Sequence, residues 1–260
     1  MKEYKTGQIR NIALVSHNGA GKTTFVERLL FDTGVTTRMG QVDNGTAAMD
    51  FEEEEVARQS SISMAIAPIE WQDLKLNLLD TPGYVDFVGE VNGALAVAEG
   101  AIVFVEAVAG VEVGTELVWQ STADHGLARL LIVNKMDREN VNVNRVMSSI
   151  RDNLSATFVN LQLPIGEGTD FKGVVDLLSM KARLGSGEKL EDIPADMADA
   201  AEEARFELIE TAAEGDDELL EKYLEGEELT ADELVRGLKA AVMSGQVVPI
   251  LFAAPQAGIA

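Results

Sequence analysis

The sequence predicts an α/β fold: a mainly parallel sheet with helices on both faces, interrupted by an acidic α+β insert. Three observations carry that expectation. Apolar strand-like runs alternate with helix-period patterns through the first 160 residues, as parallel strands joined by crossover helices do. A glycine-rich segment ending in Gly-Lys-Thr follows the first strand and opens the first helix. From about Ile165 the composition turns acidic and glycine-punctuated, and strand character resumes only at Val247.

Taken in order, Ile9–Val15 reads as a largely buried strand. Lys22 to Phe31 follows as a helix, with Phe25, Val26, Leu29 and Leu30 at helical spacing. Ile62, Met64 and Ile66 alternate with small or polar residues. After a polar break at Gln72-Asp73 come Leu74, Leu76 and Leu78, so the two runs predict a hairpin. Phe87, Val91, Ala94, Leu95 and Ala98 mark a helix, and Ala101–Val105 and Leu130–Val133 are continuous apolar strands. Helical patterns lie at Thr115–Asp124 and Val143–Leu154. The insert begins with a short β-like region and continues as alanine-rich acidic helices from Pro194 to Val242. Pro194 suits a first helical position, and Thr230-Ala231-Asp232-Glu233 has the form of a capping box. Val247–Phe252 is the returning strand. The expected organisation is residues 1–164 for the first part of the main domain, 165–246 for the insert, and 247–260 for the last strand and a final loop.

Composition removes several function classes. With no cysteine, the chain has no disulfide framework, thiol nucleophile or thiolate metal centre. His17 and His125 alone leave little for a histidine-rich metal site. Residues 1–10 lack an apolar signal core. The most apolar stretch, 94–113, is broken by Glu99, Glu106 and Glu112, so no membrane span is expected, and a soluble, cytoplasmic protein is. The net charge is −23, of which −14 lies between Ile165 and Gln246. Neutralising phosphates takes clustered Lys and Arg, so direct DNA binding is not expected.

Three motifs carry the chemistry. Ser16-His17-Asn18-Gly19-Ala20-Gly21-Lys22-Thr23-Thr24 is similar to the phosphate-binding loop G-x-x-x-x-G-K-[ST], with Ser16 in place of the first glycine. Its glycines let successive N–H groups face one concavity, and the helix N-terminus adds a positive end for phosphate. Lys22 would reach the β- and γ-phosphates and Thr23 would ligate Mg²⁺. Asp80-Thr81-Pro82-Gly83 ends an apolar strand at the carboxyl edge of the sheet, where such folds bind ligands. There Asp80 could hold Mg²⁺ through water, and the Gly83 N–H could sense a γ-phosphate. These two leave the base open, and a P-loop ATPase of other function remains an alternative. Asn134-Lys135-Met136-Asp137, directly after a strand, discriminates. The Asp137 carboxylate accepts two N–H bonds from guanine, whereas adenine offers an acceptor at N1. Asn134 and Lys135 would brace that loop and cover the base.

In this order the motifs resemble the GTPase superfamily, and the surrounding residues narrow the likeness to translational GTPases of the elongation factor G type. Gly83-Tyr84-Val85-Asp86-Phe87 resembles that family's D-T-P-G-H-V-D-F, and Gly45-Thr46-Ala47-Ala48-Met49-Asp50 its G-A-A-T-M-D. Gly173-Val174-Val175-Asp176-Leu177, Asp192-Ile193-Pro194-Ala195 and Glu221-Lys222-Tyr223-Leu224 are similar to pieces of its inserted subdomain. The resemblance implies the P-loop GTPase fold, GTP/GDP and Mg²⁺ as ligands, and the N-terminal part of a longer multidomain factor. It also implies the ribosome as partner, with the acidic insert facing the ribosomal stalk protein. Ala253-Ala254 is similar to the last guanine loop, G-S-A, whose alanine N–H bonds guanine O6.

The departures from that pattern are specific. Arg58-Gln59-Ser60-Ser61 stands for R-G-I-T, so Ser61 would supply the hydroxyl that ligates Mg²⁺ in the GTP state. Gly19 stands where an aspartate is usual. Tyr84 replaces the histidine that positions the attacking water, a pattern similar to the divergent, paralogous members. A phenol orients water by hydrogen bonding but accepts a proton poorly at pH 7. The expected activity is therefore a weak GTPase using Lys22, Gly83 and Tyr84, with a GTP/GDP-binding regulatory module of negligible hydrolysis as the alternative. Other residues read plainly: His17 as an organiser of the phosphate loop, His125 as a capping residue, Trp71 and Trp119 as packing, and Glu52–Glu55 as a solvated face in a switch segment. Charged surface and partner docking are even readings of the insert's helices.

Overall fold

The computed structural model describes residues 2–186 and 189–259; Met1, Gly187, Glu188 and Ala260 lie outside the described residues. Seven strands make the larger sheet: Ile9–Val15 (β1), Ala65–Trp71 (β2), Leu74–Asp80 (β3), Gly100–Glu106 (β4), Ala128–Asn134 (β5), Thr157–Asn160 (β6) and, much later in the chain, Val247–Ala253 (β11). Their order across the sheet is β2-β3-β1-β4-β5-β11-β6. Only the edge strand β2 runs antiparallel, to β3; every other neighbour is parallel. The crossovers are α1 (Lys22–Asp32), α3 (Val88–Leu95), α4 (Val113–Asp124) and α5 (Val143–Asn153), and a short α2 (Glu53–Arg58) precedes β2.

Alternation along each strand sorts side chains to two faces. Leu14, Phe104 and Ile132 meet Phe25, Val26 and Leu30 of α1 in one core. Ala13, Val15, Val103, Val105, Leu131 and Val133 meet α3, α4 and α5 in the other. Phe25 and Phe104 pack edge-to-face at 5.2 Å, an arrangement worth roughly 0.5–1.5 kcal/mol beyond the area it buries. Trp119 is buried in the second core, with the Arg129 guanidinium 4.2 Å over its ring.

Gln162–Ile165 (β7), Gly173–Asp176 (β8), Lys181–Leu184 (β9) and Leu190–Glu191 (β10) form a second, antiparallel sheet in the order β10-β9-β8-β7. It starts slightly before Ile165, where the sequence marks its change of character. Three helices follow: α6 (Ala198–Glu214), α7 (Asp217–Leu224) and α8 (Ala231–Met243). α6 and α8 close over a third core containing Val175, Leu177, Leu208 and Leu234. Chain continuity then returns to the main sheet through β11, which enters between β5 and β6.

Three local expectations are corrected. The buried face of β2 is Ala65, Ala67 and Ile69, while Ile66 is exposed and Ile62 and Met64 precede the strand. The sequence periodicity follows the bulkier residues, whereas the helix α1 leaves room under this edge for small ones. Pro194 is not a first helical residue: it is extended and caps a single 3-10 turn, Ala195–Met197, before α6. Glu55 is not part of a solvated face. It is fully buried, and its carboxylate accepts the N–H groups of Glu52, Ile62 and Ser63. The Gln72-Asp73 break is a tight turn with both residues at positive φ, 44° and 61°, the backbone of a type I′ hairpin.

Candidate nucleotide-binding site

The carboxyl ends of β1, β3 and β5 deliver the three motif loops to one cavity of about 490 Å³. Asn18, Gly19, Gly21, Lys22, Thr23 and Thr24 form its floor, Gly83 one wall and Lys135 another. Asn134 and Asp137 line a second, small pocket that shares Gly21, Thr24 and Lys135 with the first. Residues 39–44 and 59–61 roof the cavity.

Gly21 has φ 91°, and a Cβ there would stand 2.5 Å from Asn134 Nδ2, so only glycine fits the turn. Asn134 Nδ2 donates to the Ala20 carbonyl at 2.8 Å, which ties the base-side loop to the phosphate loop. Ala20 itself is fully buried beneath the floor. Gly83 approaches the phosphate loop as closely: a Cβ would stand 2.5 Å from Asn18 Cα.

Lys22 is almost wholly buried. Its Nζ donates to Ser16 Oγ at 2.9 Å and to the His17 carbonyl at 3.4 Å, while Ser16 Oγ donates to the same carbonyl at 2.7 Å. The serine at the first loop position thus holds the ammonium group. Burial pushes Lys22 down to about 8, against the pull of the Asp80 charge. Burial pushes Asp80 up to about 7, against the pull of Lys22. His17 Nδ1 meets Thr115 Oγ1 at 2.8 Å, and burial lowers its pKa below the ordinary value. It organises the loop as a neutral ring. His125 Nδ1 meets the Ser121 carbonyl at 2.8 Å at the end of α4, a capping position.

The residues expected at a cation come together. Thr23 Oγ1 lies 3.2 Å from Ser61 Oγ, which donates to Asp50 Oδ1 at 2.7 Å. Both Asp80 carboxylate oxygens are buried without a hydrogen-bond partner among the described residues. Magnesium prefers hard oxygen ligands and retains water and phosphate oxygens, so these unpartnered oxygens beside two hydroxyls fit it. Among the described residues no three His, Cys, Asp or Glu side chains gather into a protein-only metal cage. Such a cage is not what this ion uses.

One of an expected pair of base contacts is corrected. Ala253 is paired with Asn134 in the ladder, and its carbonyl accepts the Met136 N–H at 3.1 Å; of the two alanines it is Ala254 whose N–H is withheld. The Ala254 N–H is spent on the Ile259 carbonyl. Pro255 and Gln256 line the pocket instead. Tyr84 caps the start of a 3-10 turn, 47% exposed, and is not among the lining residues. The roof residues 39–44 line the cavity without standing out in the sequence, and Glu27, behind them, holds the same loop; Asp50 joins the site as the end of the Gly45–Asp50 motif. The one available signal was for Glu27, a lone glutamate between the apolar Val26 and Leu30 of a helix.

Residues 7–258 match the family described as the Elongation factor Tu GTP binding domain. The chain belongs to this family. A domain of this family binds guanine nucleotide, and that is the ligand class of the cavity. A crystal structure from Thermus thermophilus is similar over 97% of this chain, with 37% identity and a TM-score of 0.91. The present chain spans 38% of the length of that one.

Proposed function

We propose that this GTP-binding domain is the switch of a ribosome-associated, cytoplasmic factor of the elongation factor G type, and that residues 165–246 are an insert within it. The carrying observation is the convergence of the three motif loops on one roofed cavity. The elongation factor G reading is supported by Gly45–Asp50 and Gly83–Phe87, and by a four-stranded sheet and three acidic helices standing between β6 and β11. The same helices are the surface proposed to meet the ribosomal stalk protein. The similar structure's greater length agrees with a chain that works beside further domains.

In this reading the phosphate-loop N–H groups and Lys22 hold the β- and γ-phosphates, and Asp137 accepts from guanine N1 and N2. Thr23, Ser61 and Asp80 would hold magnesium, which supplies charge neutralisation at the phosphates. The Gly83 N–H donates to the γ-phosphate. The roof excludes bulk water, and Tyr84 orients the attacking water once a partner moves it over the site. Because Tyr84 is half exposed in the isolated domain, hydrolysis is weak until then. That same observation favours the second reading, a GTP/GDP-binding module with negligible turnover.

Single-turnover hydrolysis with and without ribosomes separates the two. The first reading expects stimulation, and a further gain of roughly a hundredfold in Tyr84→His, the lower end of what general-base groups contribute. No stimulation by ribosomes leaves the binding module, and ordinary turnover without them refutes the weak-GTPase reading.

A further inference from the structure

Glu27 is a buried carboxylate that the hydrolytic machinery does not use. It sits on α1, 1% exposed. Its Oε1 accepts the Ala48 N–H at 2.6 Å and the Met49 N–H at 3.1 Å, and its Oε2 accepts the Gly40 N–H at 3.2 Å. A carboxylate withdrawn from water needs donors aimed at it. Here all three are backbone groups of one loop, and that loop includes Gly40–Asn44, which roof the nucleotide cavity. The fit is close. A Cβ on Gly40 would collide with Glu27 Oε2 and stand 2.8 Å from Ala47 Cα. The first turn of α1 carries Lys22 and Thr23, so one helix grips both the floor of the cavity and its roof.

We propose that Glu27 is a positioning residue: its carboxylate latches segment 40–49 onto α1 and thereby sets how long a bound nucleotide stays. This rests on the nucleotide reading of the cavity. The three bonds exist when the roof is down and are broken when it lifts, which leaves a charged oxygen pair to be rehydrated. They therefore oppose release, while encounter of nucleotide with an already open site is unaffected. Nucleotide escape is paced by the roof rather than by the phosphate contacts alone.

Stopped-flow binding of the fluorescent N-methylanthraniloyl derivative of GDP to the whole chain tests this. Glu27→Gln preserves volume but turns an NH₂ group towards an N–H. Dissociation should quicken by roughly tenfold or more, the scale of a charged hydrogen bond lost. Association should stay within about threefold, since such effects fall mainly on the off-rate. Tryptic cleavage at Arg38 and Arg58 of the GDP-bound form should accelerate in parallel, which a general loss of stability would not confine to this segment. Gly40→Ala keeps the carboxylate and forces the loop away from the other side. It should give the same signature, and the double variant should release no faster than the quicker single one. Unchanged dissociation in folded Glu27→Gln overturns the latch. If that variant fails to fold, unchanged dissociation in Gly40→Ala overturns it. A wild-type chain with no saturable binding overturns the nucleotide reading together with the latch, whereas normal wild-type binding with unaltered variants overturns the latch alone.

Discussion

The Asp137 carboxylate lines a small pocket beside Gly21, Thr24 and Lys135; in the proposed reading it accepts the two N–H groups of guanine, where adenine would offer an acceptor at N1. Asp137→Asn is expected to weaken GDP binding by about a hundredfold, because hydrogen bonds to a charged group contribute about 1.5–3 kcal/mol each. Calorimetry with GDP, ADP and xanthosine diphosphate checks this; the variant should gain the last, and an unchanged preference for guanine would remove Asp137 from the base site. Lys22, Thr23 and Asp137 are legible in the sequence because their spacing after a strand is short and local. Glu27 is not, because its role depends on a loop folding back over it from many residues away. Ala253 and Ala254 mislead for a related reason. Chain order suggests a donor role for both, but the Ala254 N–H is taken by the Ile259 carbonyl.

Among the elements, α8 has the most completely predicted end. Thr230 Oγ1 accepts the Glu233 N–H at 3.3 Å, the Glu233 carboxylate accepts the Thr230 N–H at 2.8 Å, and Lys222 of α7 pairs with it at 2.9 Å. Thr230→Ala should cost about 1 kcal/mol, read by chemical denaturation of the whole chain. Lys222 and the cap hold Glu233 down at about 2, below the ordinary 4.5. A depressed acid contributes stability above its unfolded pKa and loses it as pH falls through the folded one. Protection factors of the α7 and α8 amides, taken relative to the intrinsic exchange rate at each pH, should therefore fall as pH drops from about 4.5 towards 2, and Glu233→Gln should flatten that dependence. Periodicity locates the main-sheet strands except β6 and the four crossover helices, since apolar residues recur at intervals of two or about 3.6 wherever a face is buried; the separate strands and helices of the acidic segment it leaves unresolved. It fails on the buried face of β2, where Ala65 and Ala67 are buried but too small to outweigh Ile66. It also fails at Glu55, where an acidic run hides a carboxylate saturated by backbone donors.

For the molecule as a whole, a ligand that binds only the folded form stabilises it by mass action. GDP at a hundred times its dissociation constant should add about 2.7 kcal/mol, a rise of roughly 5–10 °C in the thermal midpoint for a chain of this size. ADP should leave the midpoint unchanged; calorimetric scans with both decide it, and an equal rise with ADP would contradict guanine selectivity. The fold class follows from the alternation of strands and helices, but the position of β11 does not, because periodicity does not say which neighbour a strand will choose. That position has a kinetic consequence. β11 pairs with β5 from Ile250 to Ala253 and with β6 from Val247 to Ile250, and its last carbonyl receives the Met136 N–H. During vectorial synthesis the phosphate loop, β3, β4 and β5 can pair, while the outer edge of β5 and the whole of β6 wait for a strand separated from them by the entire acidic segment. Such distant pairing is slow to nucleate. On the proposed nucleotide reading, the phosphate loop is in place before the 134–137 loop gains its brace from the Ala253 carbonyl, and base selectivity is expected to be the last property of the site to mature.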